Sequence, residues 1–288
     1  MTRPLIEKIS LMKSPAFWYA PLGITAQLLT PLSYLFRAGG WVRRVVAQPY
    51  RAKVSVICVG NVVAGGSGKT PTAIAIAKIL IDQGHKPAFV TRGYGGFERG
   101  VLRVDPTLHN FERVGDEALL LSRVAPVWVG RDRVAAIREA DKHATHIILD
   151  DGLQNPNLLP DIALLVVDAA SGFGNGRVIP AGPLRETLDK VMQWVDGVVV
   201  IGDNSTSVRQ YIGASVKIYH AHVQPVPSAS PGKFFAFAGI GRPEKFYATC
   251  RAAGLNIIGT RDFADHPVFT EVAFAALRRD ADTSIAAS

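Results

Sequence analysis

Val54-Ser-Val-Ile-Cys-Val-Gly-Asn-Val-Val-Ala-Gly-Gly-Ser-Gly-Lys69-Thr70-Pro71 is the stretch on which the fold turns. An apolar run passes into a glycine-rich loop, and Gly68-Lys69-Thr70 then opens a helical pattern predicted over 70–83. Strand, loop and helix in that order are the context a phosphate-binding P-loop requires. Glycines let backbone N–H groups converge on phosphate oxygens, and the helix N-terminus adds partial positive charge. The nucleotide-binding candidates are Gly65, Gly66, Ser67, Gly68, Lys69 and Thr70. Lys69 would reach the β and γ phosphates of ATP, and Thr70 would offer its hydroxyl to Mg²⁺.

The common eight-residue form of this loop wants glycine at position 63 and meets Val63. What remains, Gly65-Gly66-Ser67-Gly68-Lys69-Thr70, resembles the G-G-x-G-K-[ST] loop of the deviant Walker-A ATPases, although their signature lysine is replaced by Ala64. A glycine turn with an incidental lysine is the plain alternative, and the flanking strand and helix argue against it.

Working outward from the loop, apolar runs alternate with helical stretches. Strands are predicted over Val54–Val59, Pro87–Thr91, Pro126–Val129, Thr145–Leu149, Ile162–Val167, Gly197–Ile201, Lys217–Val223, Phe234–Ala238 and Asn256–Thr260. Helices are predicted over 70–83, 117–123, 131–142 and 243–253. Several runs are apolar throughout, as in strands covered on both faces. The expected fold is α/β and P-loop NTPase-like, a mainly parallel sheet with helices on both faces. Residues 1–48 read as a basic, apolar N-terminal helical segment and 49–223 as the P-loop domain. Residues 224–231, rich in Pro and Ser, read as a linker, and 232–288 as a smaller C-terminal α/β domain.

Thr145-His-Ile-Ile-Leu-Asp150-Asp151-Gly152 is an apolar strand ending in two acids. Such acids lie at the edge where open α/β sheets bind ligands, so Asp150 and Asp151 join Thr70 as metal candidates. Neighbouring residues of a strand point to opposite faces, so one acid should face the metal and the other a nearby group. An ordinary Asp-Asp-Gly turn is the alternative and would be preferred without the phosphate loop.

The chain has 288 residues and a formal charge of +8, which invites a nucleic-acid reading. The distribution argues otherwise. Residues 1–53 hold eight basic residues against one acid, a net +7, which leaves +1 for the rest. That remainder offers no excess from which to build a large basic face. The N-terminal charge brackets an uncharged stretch from Ser14 to Phe36 that contains Phe17, Trp18, Tyr19, Tyr34 and Phe36. Its 23 residues could cross a bilayer as a helix, but Pro15, Pro21 and Pro31 interrupt it. Contact with an anionic membrane surface is the better expectation, with aromatic and leucine side chains at the headgroup boundary. A helical hairpin packed on its own domain is the alternative. Cys58 and Cys250 support no disulfide framework and fit a reducing cytosol.

Nine ordered motifs then carry a resemblance. They are Gly60-Asn61, Thr91-Arg92-Gly93-Tyr94-Gly95-Gly96, Val114-Gly115-Asp116-Glu117, Val129-Gly130-Arg131-Asp132-Arg133, Asp150-Asp151-Gly152-Leu153-Gln154, Gly172-Phe173-Gly174-Asn175-Gly176-Arg177, Pro180-Ala181-Gly182-Pro183-Leu184-Arg185-Glu186, Phe237-Ala238-Gly239-Ile240 and Phe263-Ala264-Asp265-His266. Together, over residues 49 to 268, they resemble the tetraacyldisaccharide 4'-kinase family of lipid A biosynthesis. The resemblance implies ATP-dependent phosphorylation of the 4'-hydroxyl of a tetraacylated glucosamine disaccharide 1-phosphate, at the cytosolic face of the bacterial inner membrane. It also implies a membrane-associating N-terminal segment; Mg²⁺ is expected from the loop and acids, nucleic acid is not expected from the charge distribution, and no protein partner is evident.

Asp116 matches the family's catalytic acid and His266 the histidine paired with it, alongside Lys69. Arg92, Tyr94, Gln154, Asn175 and Arg185 resemble the polar set lining the nucleotide and disaccharide cleft. Without the resemblance, Asp116 would read as a helix cap and His266 as a loop histidine. Arg131-Asp132-Arg133 reads as a surface salt network at a helix start and is left out of the site.

The family usually has Asp-Asp-Gly-Phe-Gln-His where this chain has Leu153 and Asn155. Its later Thr-Glu-Lys-Asp motif is not found, so the C-terminal domain is expected to be truncated. Two rival functions remain at this stage: a membrane-associated regulatory ATPase of the deviant Walker-A type, and a family member that binds nucleotide without catalysis.

Overall fold

The computed structural model describes residues 15–203, 206–213, 216–225, 232–240, 243–263 and 271–287. The chain divides into two compact units, Pro15–His222 and one that contains Val223–Ser288.

In the larger unit, eight strands form one sheet in the order β3-β4-β2-β5-β1-β6-β7-β8. They are β1 (Ser55–Gly60), β2 (Pro87–Thr91), β3 (Leu102–Arg103), β4 (Val127–Val129), β5 (His146–Asp150), β6 (Ile162–Asp168), β7 (Gly197–Ile201) and β8 (Lys217–Ala221). All neighbours pair in parallel except β3, which runs antiparallel to β4. The helices of this unit are α1 (Ile24–Val45), α2 (Lys69–Asp82), α3 (Asp116–Ser122), α4 (Arg133–Ala140) and α5 (Leu188–Met192), with shorter turns at Ala16–Tyr19, Phe111–Val114 and Thr206–Arg209.

The strands divide their side chains between two cores, which is why they read as continuous apolar runs. Val56 and Cys58 of β1 face the core completed by Ala136, Ile137 and Ala140 of α4 and by Val191 of α5. Ile57 and Val59 face the opposite core, with Ala73, Ala77 and Leu80 of α2 and Ala118 and Leu121 of α3. Two-sided burial of this kind excludes water from the central strands and confines the ligand-binding groups to the loops at the carboxyl edge.

The first 3₁₀ turn and α1 dock on the loop after β6. The Trp18 indole donates to the Pro180 carbonyl at 3.0 Å, and the Ser33 hydroxyl donates to that of Val178 at 2.7 Å. Arg44 pairs with Glu186. Only Ala26 and Ser33 of the 22 helix residues are buried, and Ile24, Leu28 and Leu35 are each at least 70% exposed. Among the described residues no helix is long and apolar enough to cross a membrane.

The smaller unit pairs β9 (Lys233–Ala238) in parallel with β10 (Asn256–Asp262), joined through α6 (Pro243–Ala252) and followed by α7 (Glu271–Ala287). The Tyr247 hydroxyl of α6 bonds the Arg261 carbonyl and the Asp262 carboxylate, and Arg261 pairs with Asp280 of α7. The predicted strands all occur, within a few residues at their ends. The two-residue β3 and the long α7 were not anticipated.

Candidate active site

The phosphate loop leaves the central strand where the acids arrive. Parallel pairing sets Val59 of β1 against Asp150 of β5, so the loop opens beside the first carboxylate. Gly68 ends the loop at φ +85°, and a Cβ there would lie 2.4 Å from Ile201 Cδ1. Glycine is therefore favoured by the backbone conformation, and a Cβ would also require the Ile201 side-chain tip to move. No side chain caps the first turn of α2, which leaves its N–H groups for a ligand. The Asn61 amide braces the loop by donating to the Gly65 carbonyl at 3.1 Å.

A second segment straps the loop. Ala64 N–H donates to the Pro183 carbonyl at 2.8 Å and Arg185 N–H to that of Val62 at 2.7 Å. Pro180-Ala-Gly-Pro-Leu-Arg185 thereby delivers the Arg185 side chain to the acids. Among the described residues, four buried side-chain atoms lack a hydrogen-bond partner, and three belong here: Asn61 Oδ1, Ser67 Oγ and Asp150 Oδ1. Unpartnered buried polar atoms in the phosphate loop and at the adjoining end of β5 mark a place built for a polar ligand.

The two acids divide their work. Asp150 is buried and accepts the Thr70 hydroxyl at 3.1 Å. Burial, with a smaller push from Asp151, raises its pKa to about 6 against the pull of Lys69 and Thr70. Asp151 has left the strand at φ +58°, a conformation Asp tolerates better than most residues. Its carboxylate lies 3.7 Å from Lys69 Nζ and accepts Arg185 Nη1 at 3.2 and 3.3 Å. Removal from water favours its neutral form, but Lys69, Arg185 and Arg133 outweigh that and hold it well below the carboxylate range. Gln154 links the groups, donating to the Asn61 carbonyl at 2.6 Å and accepting from Arg185 at 3.0 Å. The acids thus meet different partners, Asp150 from the end of the strand and Asp151 from the turn after it rather than from strand alternation.

Two participants were missed. Glu117 is half-buried, and its pKa is raised to about 7 by burial first and then by Asp150, with Lys69 opposing and Asp151 and Asp116 adding. It adjoins Asp116 in a motif already singled out, which was the available signal. Arg133 corrects an expectation. Asp132 caps α4 through Ala135 N–H at 3.1 Å, while Arg133 is drawn inward and donates to the Asp151 carbonyl at 2.6 Å. The triplet is therefore no surface salt network. Its helix begins at Arg133, and the cap turns that side chain toward the β5 edge.

Other predicted residues are placed as follows. Arg92, Gln154, Arg185 and Asp151 line one cavity of about 460 Å³. Gly115, at φ +85°, lets the Asp116 turn close on the Tyr94 carbonyl, where a Cβ would come within 2.3 Å. Asp116 begins α3, and its Oδ1 accepts Glu117 N–H at 2.9 Å. Asn175 lies apart from the cavity lining, its amide donating to the carbonyls of Ala181 and Phe17 and accepting Arg177 N–H. His266 falls outside the described residues.

Asp150 and Glu117 keep protons to higher pH in the folded chain than in the unfolded one, where the ordinary values of 3.8 and 4.5 apply. The folded state therefore binds more protons between about pH 4 and 7, and stability falls as pH rises through that window. The melting temperature of the ligand-free protein should decline from pH 5 to 7.5. Asp150→Asn combined with Glu117→Gln should flatten the decline, and a slope of the opposite sign would refute the assignment.

Residues 25–287 match the model of the Tetraacyldisaccharide-1-P 4'-kinase family. The chain belongs to that family. It is 46% identical to the tetraacyldisaccharide 4'-kinase of Parvibaculum lavamentivorans over 273 residues, 90% of this chain and 79% of that one. It is 45% identical to that of a Jannaschia species over 278 residues, 94% and 85% of the two chains. The crystal structure of LpxK from Aquifex aeolicus in complex with ATP superposes with a TM-score of 0.70 at 25% identity, covering 85% of this chain and 84% of that one. Fold and family agree with the expectation from the motifs, and the regulatory-ATPase alternative gives way to a 4'-kinase.

ATP is the phosphate donor in such a kinase. Among the described residues no cluster of three His, Cys, Asp or Glu forms a metal cage. Mg²⁺ in phosphoryl-transfer sites needs only one or two carboxylates beside the substrate phosphates. The Thr70 hydroxyl and Asp150, with its orphaned Oδ1, have the donor chemistry to hold it.

Proposed function

We propose that this site transfers the γ-phosphate of ATP to the 4'-hydroxyl of a tetraacylated disaccharide 1-phosphate. The observation that supports the reading most is the phosphate loop itself, with Lys69 and Thr70 set against two acids and three unpartnered buried atoms belonging to the loop and the end of β5. Backbone N–H groups of residues 65–70 would bind the β and γ phosphates, with Lys69 leaving Asp151 to meet them. Bound at Thr70 and Asp150, Mg²⁺ would supply charge neutralisation on the phosphates.

The 4'-oxygen forms its bond to the γ-phosphorus as the bridging P–O bond breaks, releasing ADP, and the hydroxyl proton passes to the Asp116 carboxylate. Glu117, carrying a proton near neutrality, keeps a second negative charge away from the transferred group. Arg185 and Arg133 fix Asp151 and with it the backbone turn after β5.

The acceptor is a lipid, and the exposed apolar side chains of α1 between cationic ends support contact with an anionic membrane surface. A cytosolic face follows from the supply of ATP. The test is to incubate detergent-solubilised protein with γ-labelled ATP, Mg²⁺ and the acylated disaccharide 1-phosphate. Label should enter the lipid. ATP binding without labelled lipid would identify a member of the family that no longer catalyses.

A further inference from the structure

The segment that straps the phosphate loop is itself held from behind. Its buried middle, Ala181 to Leu184, gives the Pro183 carbonyl to Ala64 N–H at 2.8 Å and leads into Arg185, whose N–H bonds the Val62 carbonyl at 2.7 Å. The Arg185 side chain reaches Asp151 and Gln154 and lines, with Arg43, Arg92, Arg131 and Arg133, the cavity beside them. Whatever fixes this strap therefore fixes the nucleotide loop and the guanidinium together.

Two polar side chains do so. The Asn175 amide nitrogen donates to the Ala181 carbonyl at 2.9 Å and to that of Phe17 at 3.4 Å, while its oxygen accepts Arg177 N–H at 3.0 Å. A side-chain amide has two donor hydrogens, so Asn175 has none left for a sugar or a phosphate. Its backbone is pinned as well, Asn175 N–H donating to the Trp18 carbonyl at 2.7 Å. Buried Ser33 of α1 donates its hydroxyl to the Val178 carbonyl at 2.7 Å and accepts Ala181 N–H at 3.4 Å. The Trp18 indole completes the joint on the Pro180 carbonyl at 3.0 Å. The packing is tight: a Cβ on Gly182 would lie 2.1 Å from Asn175 Oδ1, and one on Gly174 would lie 2.5 Å from the Trp18 carbonyl oxygen. A close-packed joint transmits a shift at one point to its neighbours.

We infer that Asn175 and Ser33 are positioning residues, which touch no substrate and set the phosphate loop and Arg185 through the strap. Asn175 thereby leaves the cleft-lining set that its motif suggested. The inference rests on the kinase reading in taking the loop as the ATP site. Hydrogen bonds run without a break in the chain of contacts from α1, through residues 175–183, to Ala64 in the phosphate loop. Small misplacements of groups around a reacting centre are costly in rate. The helix whose outer face is apolar and exposed is, on its buried side, part of the scaffold of the nucleotide site.

The test measures ATP affinity without acceptor, turnover, acceptor KM, melting temperature and amide hydrogen exchange on the full chain as wild type, Asn175→Ala and Ser33→Ala. Both substitutions should weaken ATP binding about fivefold, the scale of one hydrogen bond, and lower kcat about tenfold. The Ala64 and Arg185 amides should exchange about fivefold faster at temperatures well below melting, because the strap that secures their bonds opens more often. Asn175→Asp keeps the shape but turns an oxygen toward two carbonyls, so it should be impaired at least as much as Asn175→Ala. A raised acceptor KM with ATP affinity unchanged, or near-normal turnover in Asn175→Asp, would return Asn175 to the acceptor cleft and overturn the inference. A lowered melting temperature with ATP affinity, kcat and both exchange rates unchanged would leave the two residues a packing role only and overturn it equally. Should Asn175→Ala not fold, Ser33→Ala decides by the same readouts. ATP binding without transfer in the wild type would overturn the kinase reading, while affinity and exchange still decide the positioning role.

Discussion

Replacing Lys69 with Ala lowers turnover by about 10²- to 10³-fold, the usual scale for removing one preorganised group that stabilises transition-state charge. It also weakens ATP binding. The Lys69 side chain is 13% exposed, so its charge acts through little water and is felt strongly by a phosphate in the loop. The fold should tolerate the change. Alanine is a good residue for the first turn of α2, and Arg185 and Arg133 still hold Asp151. Lys69 also opposes the upward pKa shifts of Asp150 and Glu117, so its loss should move both further up. Calorimetric titration with ATP and steady-state kinetics read the two effects separately. An Ala variant that binds ATP as the wild type does removes Lys69 from the phosphate site.

Asp116→Ala separates chemistry from architecture at the neighbouring motif. As the proposed proton acceptor from the sugar hydroxyl, Asp116 would be worth about 10²- to 10⁴-fold in turnover, and its removal should leave ATP binding intact. As a helix-end group, it would be worth about 1 kcal/mol of stability and nothing in turnover. Its Oδ1 does accept Glu117 N–H, so the structural role is real and must be isolated. Asp116→Asn does that, since its amide oxygen preserves the acceptor for Glu117 N–H and abolishes the base. Turnover should collapse in both variants, with the melting temperature falling only in Asp116→Ala. Near-normal turnover in Asp116→Asn assigns the residue to capping alone.

The parallel sheet was legible because burial on both faces leaves its signature in consecutive apolar residues, as in Val56 to Val59. The two-residue β3 leaves none, being too short to show a period, and α7 lay beyond the motif pattern that guided the reading. At the site, the loop and both acids could be read from local order along the chain. Arg133 could not, because its inward turn depends on the cap at Asp132 and on β4 lying two strands from β5. The arginine cavity was hidden for a related reason. Its members are spread from position 43 to position 185, inside a chain whose residues after 53 carry only +1. Net charge averages over the surface, whereas a binding cavity depends on where the fold brings the cations together.

The Lys69–Asp151 pair gives the phosphate loop an occupant of its own. A cationic loop bathed in the small anions of a cell is an indiscriminate trap, filled by whichever orthophosphate or carboxylate arrives first. Tethered 3.7 Å from the lysine, the Asp151 carboxylate is a resident competitor whose local concentration no free monoanion matches. To displace it, a ligand must replace that contact and add several others at once, which a nucleotide triphosphate does along the whole loop. The carboxylate next to Asp150 would thereby act as a filter, setting the number of phosphates a visitor must carry before the lysine turns to it.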